Sequence, residues 1–168
     1  MSIWKLYRFE DQFLAPSMVI AEGGNYIETE PIFSVSADDK SELIDLIKDL
    51  IKSQPQQAKD NDIYKESIEC KNYEPALLEI LGLHKWKDFE QRALMYTLHK
   101  QGEELHLHIT GRGSDGFWSI SDSSSKIYQF ENPKTPEEIA DEIIPRLPVT
   151  PPKLLGLGPG PDSRQNSP

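Results

Sequence analysis

The segment LMYTLHKQGEELHLHI, residues 94–109, constrains the fold of this chain more than any other segment. Apolar and polar residues alternate on both sides of a Gln-Gly pair, and a period of two is typical of paired β-strands that bury one face. With Gln101-Gly102 as a two-residue turn, we predict that His99 pairs with Glu104. One face is then apolar, with Leu94, Tyr96, Leu98, Leu105, Leu107 and Ile109. The other face is polar, with Met95, Thr97, His99, Glu104, His106, His108 and Thr110.

Further β-strands are predicted on both sides of this hairpin. Residues 1–36 contain three candidate strands. IWKLYRF is short enough to be a sheet edge, and SMVIAE ends at GGN, which is typical of a hairpin turn. PIFSVS begins with a proline, which is tolerated at the first position of a strand. After the hairpin, GFWSIS and KIYQFE are predicted as two more strands of the same meander. Phe117 and Trp118 then point to opposite faces, so we expect one ring in the core. The other ring could be an exposed binding anchor, but for either ring we favour partial burial under the C-terminal helix.

Two main helices are predicted. The first has Ser36 as its N-cap, and its apolar residues recur at helical spacing, at Leu43, Ile44, Ile47, Leu50 and Ile51. The second, TPEEIADEIIPRL, has Thr135 as N-cap, Pro136 at the first helical position and Glu138 to complete a capping box. Shorter helices are predicted in PALLEILG, which ends at Gly82, and in HKWKDFEQRA.

The order of these elements predicts an α+β fold. It is a largely antiparallel β-sheet of about five to seven strands, with two main helices and one or two short helices packed against it. We expect residues 1–147 to form a single domain, because a chain of 168 residues can bury a core without staples. From residue 148 the chain is rich in proline and glycine, so 148–168 is predicted to be a flexible C-terminal tail.

Charge narrows the choice of partner. The chain carries a net charge of −10, and acidic residues are dense between residues 20 and 50. Such a field repels phosphate backbones and anionic lipids, so we predict no nucleic acid or membrane partner and favour a basic protein. No apolar run approaches the roughly 20 residues of a membrane span, the N-terminus is not a secretory signal, and Cys70 is the single cysteine. We therefore expect a cytoplasmic protein that is a monomer or a weak homo-oligomer.

His106 and His108 are the strongest candidates for metal ligands. They share a face with His99 and Glu104, and three imidazoles with a carboxylate could bind zinc. These side chains stand side by side on an open sheet face, however, whereas metal ligands converge, so we predict a polar surface with no metal and no cofactor. GRGSDG lacks the lysine and the following helix of a phosphate loop, and the serines at 119–125 form no nucleophile elbow. We expect no enzymatic activity; the alternative is a small metal-dependent hydrolase that uses His106 and His108.

Residues 81–147 resemble bacterial immunity proteins of contact-dependent growth-inhibition systems. The similar segments follow in order: LGLHKWKDF as a short helix, RALMYTLHKQGEELHLHI as a hairpin with a polar tip, GRGSDGFW as a glycine-bearing link, and KTPEEIADEIIPRL as a closing helix. The resemblance implies a small, cytosolic, non-enzymatic protein that binds and blocks a cognate toxin domain. Such toxins are often nucleases with basic clefts, which an acidic protein could fill.

The resemblance supplies no contact residues, so we select them by charge and expected exposure around the hairpin tips. The candidate partner-binding residues are Glu104, His106, His108, Asp115, Trp118 and Asp122. Acidic side chains among them would pair with lysines and arginines of the toxin. A second alternative is an adaptor protein of unknown partner.

Overall fold

The computed structural model describes residues 1–21, 23–57, 76–102, 104–115, 118–119, 125–130 and 135–147. The predicted tail at 148–168, the ring of Phe117 and the candidate contact Asp122 lie outside these described residues. In the described parts of the chain, no helix is long and apolar enough to cross a membrane.

A mixed sheet, almost entirely antiparallel, forms the centre of the fold. Its strands are β1 (Ser2–Phe9), β2 (Gln12–Ile20), β3 (Tyr26–Ser36), β4 (Gln56–Gln57), β5 (Leu94–Gln101), β6 (Glu104–Ile109) and β9 (Lys126–Phe130). The strand order is β3-β2-β1-β5-β6-β9, and β4 adds to β2 in the one parallel pairing of the described strands. Two short strands, β7 (Gly111–Arg112) and β8 (Trp118–Ser119), pair separately from the main sheet.

Four α-helices are present among the described residues: α1 (Lys40–Lys52), α2 (Ala76–Leu81), α3 (Trp86–Arg92) and α4 (Pro136–Ile143). A 3₁₀ turn, Ile144–Arg146, continues α4. Strands and helices are thus segregated rather than alternating. The predicted α+β class, with a largely antiparallel sheet, two main helices and short helices packed on it, is confirmed.

The helix ends follow local side-chain chemistry. The predicted capping box of α4 is confirmed, because the Thr135 hydroxyl accepts a hydrogen bond from the Glu138 amide while the Glu138 carboxylate accepts one from the Thr135 amide. The predicted N-cap of α1 was wrong. Ser36 still pairs with Gln12 in the sheet, and it is Asp39 that caps the helix, where its Oδ1 accepts from the Glu42 amide at 2.9 Å.

The predicted hairpin register was wrong by two residues. Gln101 pairs with Glu104, and His99 pairs with His106 rather than with Glu104. A two-residue hairpin turn needs a positive φ at its first position, and Gly102 takes that position with φ of 61°. A shift of two residues preserves the alternation, so the predicted apolar and polar faces are both confirmed.

Two other strand predictions need correction. IWKLYRF is not a sheet edge, since β1 lies between β2 and β5 in the middle of the sheet. GFWSIS does not extend the main meander, because Trp118–Ser119 pairs with Gly111–Arg112, and KIYQFE alone joins the sheet beside β6. The segments YIETE and PIFSVS form one continuous strand, β3.

Hydrophobic cores lie on both faces of the sheet. On one face, which we call the helix face, α1 and α4 bury residues such as Ile47 and Ile143 against Leu98 and Leu107. On the opposite face, which we call the second face, α2 and α3 bury Phe89 and Leu78 against Tyr7, Phe9 and Leu14. The helices α2 and α3 cover only the part of the second face near Tyr7, which leaves its remaining part uncovered by helix among the described residues.

Candidate functional site

The uncovered part of the second face carries the histidines. Cross-strand pairing places His106 beside His99 and Gln129, and His108 beside Thr97 and Ile127. Pairing with β1 extends the surface, since Ile3 lies opposite His99 and Lys5 opposite Thr97. We name this surface the histidine face; its residues are Ile3, Lys5, Thr97, His99, His106, His108, Ile127 and Gln129. Ile127 is 65% exposed at its border.

Three imidazole rings form a nearly equilateral triangle on this surface. The ring centroids of His99 and His106 are 6.1 Å apart, those of His99 and His108 6.2 Å, and those of His106 and His108 6.3 Å. A bound zinc ion has its coordinating nitrogens about 2 Å away. Three rings that bind one zinc ion would therefore have shorter centroid distances than those observed here. No group of three or more His, Cys, Asp or Glu in the described residues is placed to hold a metal ion.

The surroundings of His108 disfavour a positive charge on its ring. Burial lowers the pKa of His108, and the nearby rings of His99 and His106 lower it further. The Nε2 atom of His99 is buried and has no hydrogen-bond partner within the described ranges. His106 Nε2 lies 3.4 Å from Glu104 Oε2, a carboxylate that is 62% exposed at the start of β6. The cluster therefore offers unused donors and acceptors to a partner that covers it.

A second polar group links β1 to β3 beside the histidine face. Glu28 Oε1 accepts hydrogen bonds from Lys5 Nζ at 2.5 Å and from the Tyr7 hydroxyl at 2.6 Å. Burial and the neighbouring Glu28 raise the pKa of Tyr7, so this hydroxyl keeps its proton and donates. No local sequence pattern predicts this group, because Tyr7 and Glu28 are brought together only by the order of the strands in the sheet.

Trp118 lies on the covered side of the second face. Its ring stacks on Tyr7 with centroids 5.6 Å apart and meets Phe89 edge-on at 5.8 Å. Its Nε1 donates to the Ala93 carbonyl at 2.9 Å. Trp118 is therefore half-buried, and it anchors the β7-β8 hairpin to α3. Asp115 is exposed in the link between β7 and β8.

The structure thus brings Glu104, His106 and His108 together, and it adds His99 to them. Asp115 and Trp118 belong to the neighbouring β7-β8 hairpin. The N-terminal strands contribute Lys5, Tyr7 and Glu28. None of these three residues is among the candidate partner-binding residues predicted from the sequence.

Negative charge concentrates on the opposite side of the molecule. The outer surface of α1 and α4, which we call the helix layer, carries the exposed acids Asp39, Glu42, Asp45, Asp49, Glu137, Glu138 and Asp141. Lys48 Nζ lies 3.0 Å from Asp45 Oδ1, and Lys52 Nζ lies 3.4 Å from Glu137 Oε1. A hydrogen bond from its own backbone amide and the charge of Lys52 lower the pKa of Glu137, so this carboxylate stays ionised. The helix layer keeps a negative excess that these lysines do not cancel.

A groove of about 380 Å³ opens between β2, β3 and the end of α1. Its walls include Trp4, Pro16, Met18, Pro31, Phe33 and Leu50. Phe33 is 50% exposed at the rim. The lining offers no pair of titratable groups arranged for acid–base chemistry, since Glu30 is its one ionisable residue.

Comparison with known proteins shows likeness at the level of the fold. No family model matches the sequence, and no curated protein matches it at a significant level. A protein of unknown function from Neisseria meningitidis superposes with a TM-score of 0.57 at 15% identity, over 83% of this chain and 89% of that chain. A chain of the CdiA-CT/CdiI toxin and immunity complex from Yersinia pseudotuberculosis superposes with a TM-score of 0.51 at 11% identity, over 83% of this chain and 91% of that one. The chain therefore shares its α+β fold with a component of a toxin and immunity complex.

Proposed function

We propose that this protein is a non-enzymatic inhibitor that binds a cognate basic toxin domain in the cytoplasm and blocks it. The observation that carries the proposal is the helix layer, where exposed carboxylates of α1 and α4 gather on one surface. A surface of one sign attracts a partner of the opposite sign and speeds its encounter. The fold shared with a chain of a toxin and immunity complex supports the same conclusion.

In this proposal the two sides of the sheet have different roles. The helix layer supplies long-range attraction, which comes from the carboxylates gathered on that surface and is screened by salt. The histidine face supplies short-range contact, because its rings, amides and Ile127 combine apolar area with unused hydrogen-bonding groups. The histidine face includes His106 and His108, and Glu104 lies beside it. The exposed surface of the β7-β8 hairpin adds contacts from Asp115 and Trp118. A nuclease with a basic cleft is the toxin class that best matches a charge of −10.

The experiment that tests this proposal begins with the product of the gene next to this one. That product is expressed alone, and then together with this chain, in a bacterial host whose growth is followed. Growth arrest by the neighbour, relieved by this chain, is the expected result. Arrest by this chain alone would assign it to the toxin side and would overturn the proposal.

Charge-reversal variants test the part assigned to the helix layer. Asp49→Lys with Asp141→Lys reverses two exposed carboxylates in the C-terminal halves of α1 and α4, where a cation does not weaken a helix. Association at low salt should slow about tenfold or more, and the difference from wild type should shrink as salt is added. Glu79→Lys with Asp88→Lys is the matched control, because both carboxylates are exposed on α2 and α3, on the other side of the sheet from the helix layer. Equal slowing by the two variants would show that net charge, rather than this surface, directs association.

A further inference from the structure

Among the described residues, three arginine side chains lie over aromatic rings, and two of them also have a polar partner. Arg92 lies 4.6 Å from the Phe9 ring centroid and pairs with Glu10. Arg146 lies 5.4 Å from the Tyr128 ring centroid and donates to the Glu142 carbonyl. Arg8, 5.1 Å from the Phe13 centroid, has no hydrogen bond or ion pair with any described residue. The absence of such a partner sets Arg8 apart from the other two.

Arg8 is also the most enclosed charged residue of the described chain. It lies in the central strand β1 on the helix face, directly opposite Phe13 of β2 and Leu94 of β5. It is 8% exposed, and its Nε has no hydrogen-bond partner in the described part of the chain. A buried guanidinium loses its hydration, and stacking on one ring restores only part of that loss. Scarcity of acid cannot explain the missing partner, since the chain has 28 acidic residues and 18 basic ones.

A second unpartnered group lies next to Arg8. The Tyr96 hydroxyl is fully buried and forms no hydrogen bond with any residue that the structure describes. Tyr96 is the diagonal neighbour of Arg8 across β1 and β5 on the same face, and its ring centroid is 6.3 Å from that of Phe13. Burial raises the pKa of Tyr96, although the charge of Arg8 opposes this effect, so the hydroxyl stays protonated and able to donate. Buried polar groups normally find partners, and here two donors whose side chains both lie against the Phe13 ring lack one among the described residues.

We propose that Arg8 and Tyr96 form a binding site for a carboxylate. The guanidinium fork matches the two oxygens of a carboxylate, and the tyrosine hydroxyl adds one further donor. The Phe13 ring, packed against both side chains, keeps the guanidinium plane in position. This site lies on the helix face and does not depend on toxin binding. A negative result for the site would therefore leave the function proposed above unaffected, and the reverse also holds. The carboxylate comes either from a small free acid or from a Glu or Asp side chain of a bound polypeptide.

NMR of the full-length chain tests the site directly. Sodium acetate is titrated against sodium chloride of equal ionic strength, and the arginine Nε–Hε resonances are followed. The resonance of Arg8 should shift with saturation while that of Arg92, which already has a carboxylate partner, stays unchanged. Acetyl-glutamate amide, titrated in the same way, separates the two sources: tighter binding of acetate indicates a free acid, and tighter binding of the glutamate probe indicates a polypeptide side chain. If neither probe shifts the Arg8 resonance, the proposal is wrong.

Variants provide an independent test. Tyr96→Phe removes a hydroxyl that has no partner, so the fold should tolerate it, while affinity for the better probe should fall about tenfold. Arg8→Met should abolish the rise in melting temperature that the probe produces, and Arg92→Met, the matched control, should retain it. An equal rise in wild type and Arg8→Met would contradict the proposal. Tighter binding of inorganic phosphate than of either carboxylate would also contradict it.

Discussion

His99 on β5 lies directly opposite His106 on β6, with ring centroids 6.1 Å apart. This pair lies beside His108, whose pKa is lowered by burial and, further, by the neighbouring rings of His99 and His106. The pairing of His99 with His106 depends on the register of the β5-β6 hairpin, which Gly102 sets at the turn. It also makes the stability of the fold sensitive to mildly acidic pH.

Stability should fall as the pH is lowered through the range in which histidines titrate. The pKa of His108 is lower in the folded chain than its ordinary value of about 6.5, so below that pH the unfolded chain binds more protons than the folded one. The free energy of unfolding therefore decreases on acidification from about pH 7 until the folded-state pKa is passed. Urea unfolding across this range should show the decrease, and His108→Gln should reduce it. His84→Gln, outside the cluster, is the control. An unchanged pH dependence in His108→Gln would contradict the prediction.

Replacement of Gly102 by alanine should destabilise the protein by about 1 kcal/mol. Gly102 has φ of 61°, which a residue with a Cβ adopts at a cost. A Cβ built there meets no atom within 4 Å, so the expected loss comes from the backbone and not from a clash. Gly23→Ala is the matched control, because its Cβ would meet only Asn25 at an ordinary contact distance of 3.6 Å. Equal unfolding free energies of Gly102→Ala and wild type would show that the turn does not need glycine.

Tyr7→Phe should lower the free energy of unfolding by about 1 kcal/mol. The Tyr7 ring is fully buried, and its hydroxyl donates to Glu28 at 2.6 Å, so the substitution deletes a hydrogen bond to a charged acceptor. Glu28→Gln should also be destabilising, and the double variant should lose less than the two single losses together, because both changes remove the same interaction. Denaturant unfolding of the four proteins measures this coupling. Strict additivity would mean that the two side chains do not interact in solution.

Alanine replacements on the histidine face should weaken binding of the proposed toxin partner. His106→Ala removes a ring at the centre of that surface, and its affinity should fall about tenfold, since contacts at the centre of an interface carry most of the binding energy. Glu104→Ala, at the exposed start of β6, should have a smaller effect. Ile80→Ala is a suitable control, because Ile80 is 51% exposed on α2. Affinities measured by titration calorimetry that do not change with His106→Ala would place the interface elsewhere.

Short-range features of the fold were predictable from the sequence. The capping box from Thr135 to Glu138 and the end of α2 at Gly82 depend on residues within one helical turn, so the local sequence contains all the information. The alternation around the β5-β6 turn likewise fixed which side chains face the core, because side chains on a strand alternate between the two faces. The N-cap of α1 was missed because Ser36 and Asp39 both suit that role, and only pairing of Ser36 in β3 excludes it.

Local patterns were enough to predict the fold class, the apolar and polar faces of the hairpin, the acidity of the chain and its last helix. They did not predict that β1 lies in the middle of the sheet, that His99 faces His106, that Glu28 meets Tyr7, or that Arg8 Nε is enclosed without a partner among the described residues. The physical reason is the range of the interactions. A period of two is unchanged by a two-residue shift of register, and strand order is set by contacts between residues far apart in the chain, which no local pattern encodes.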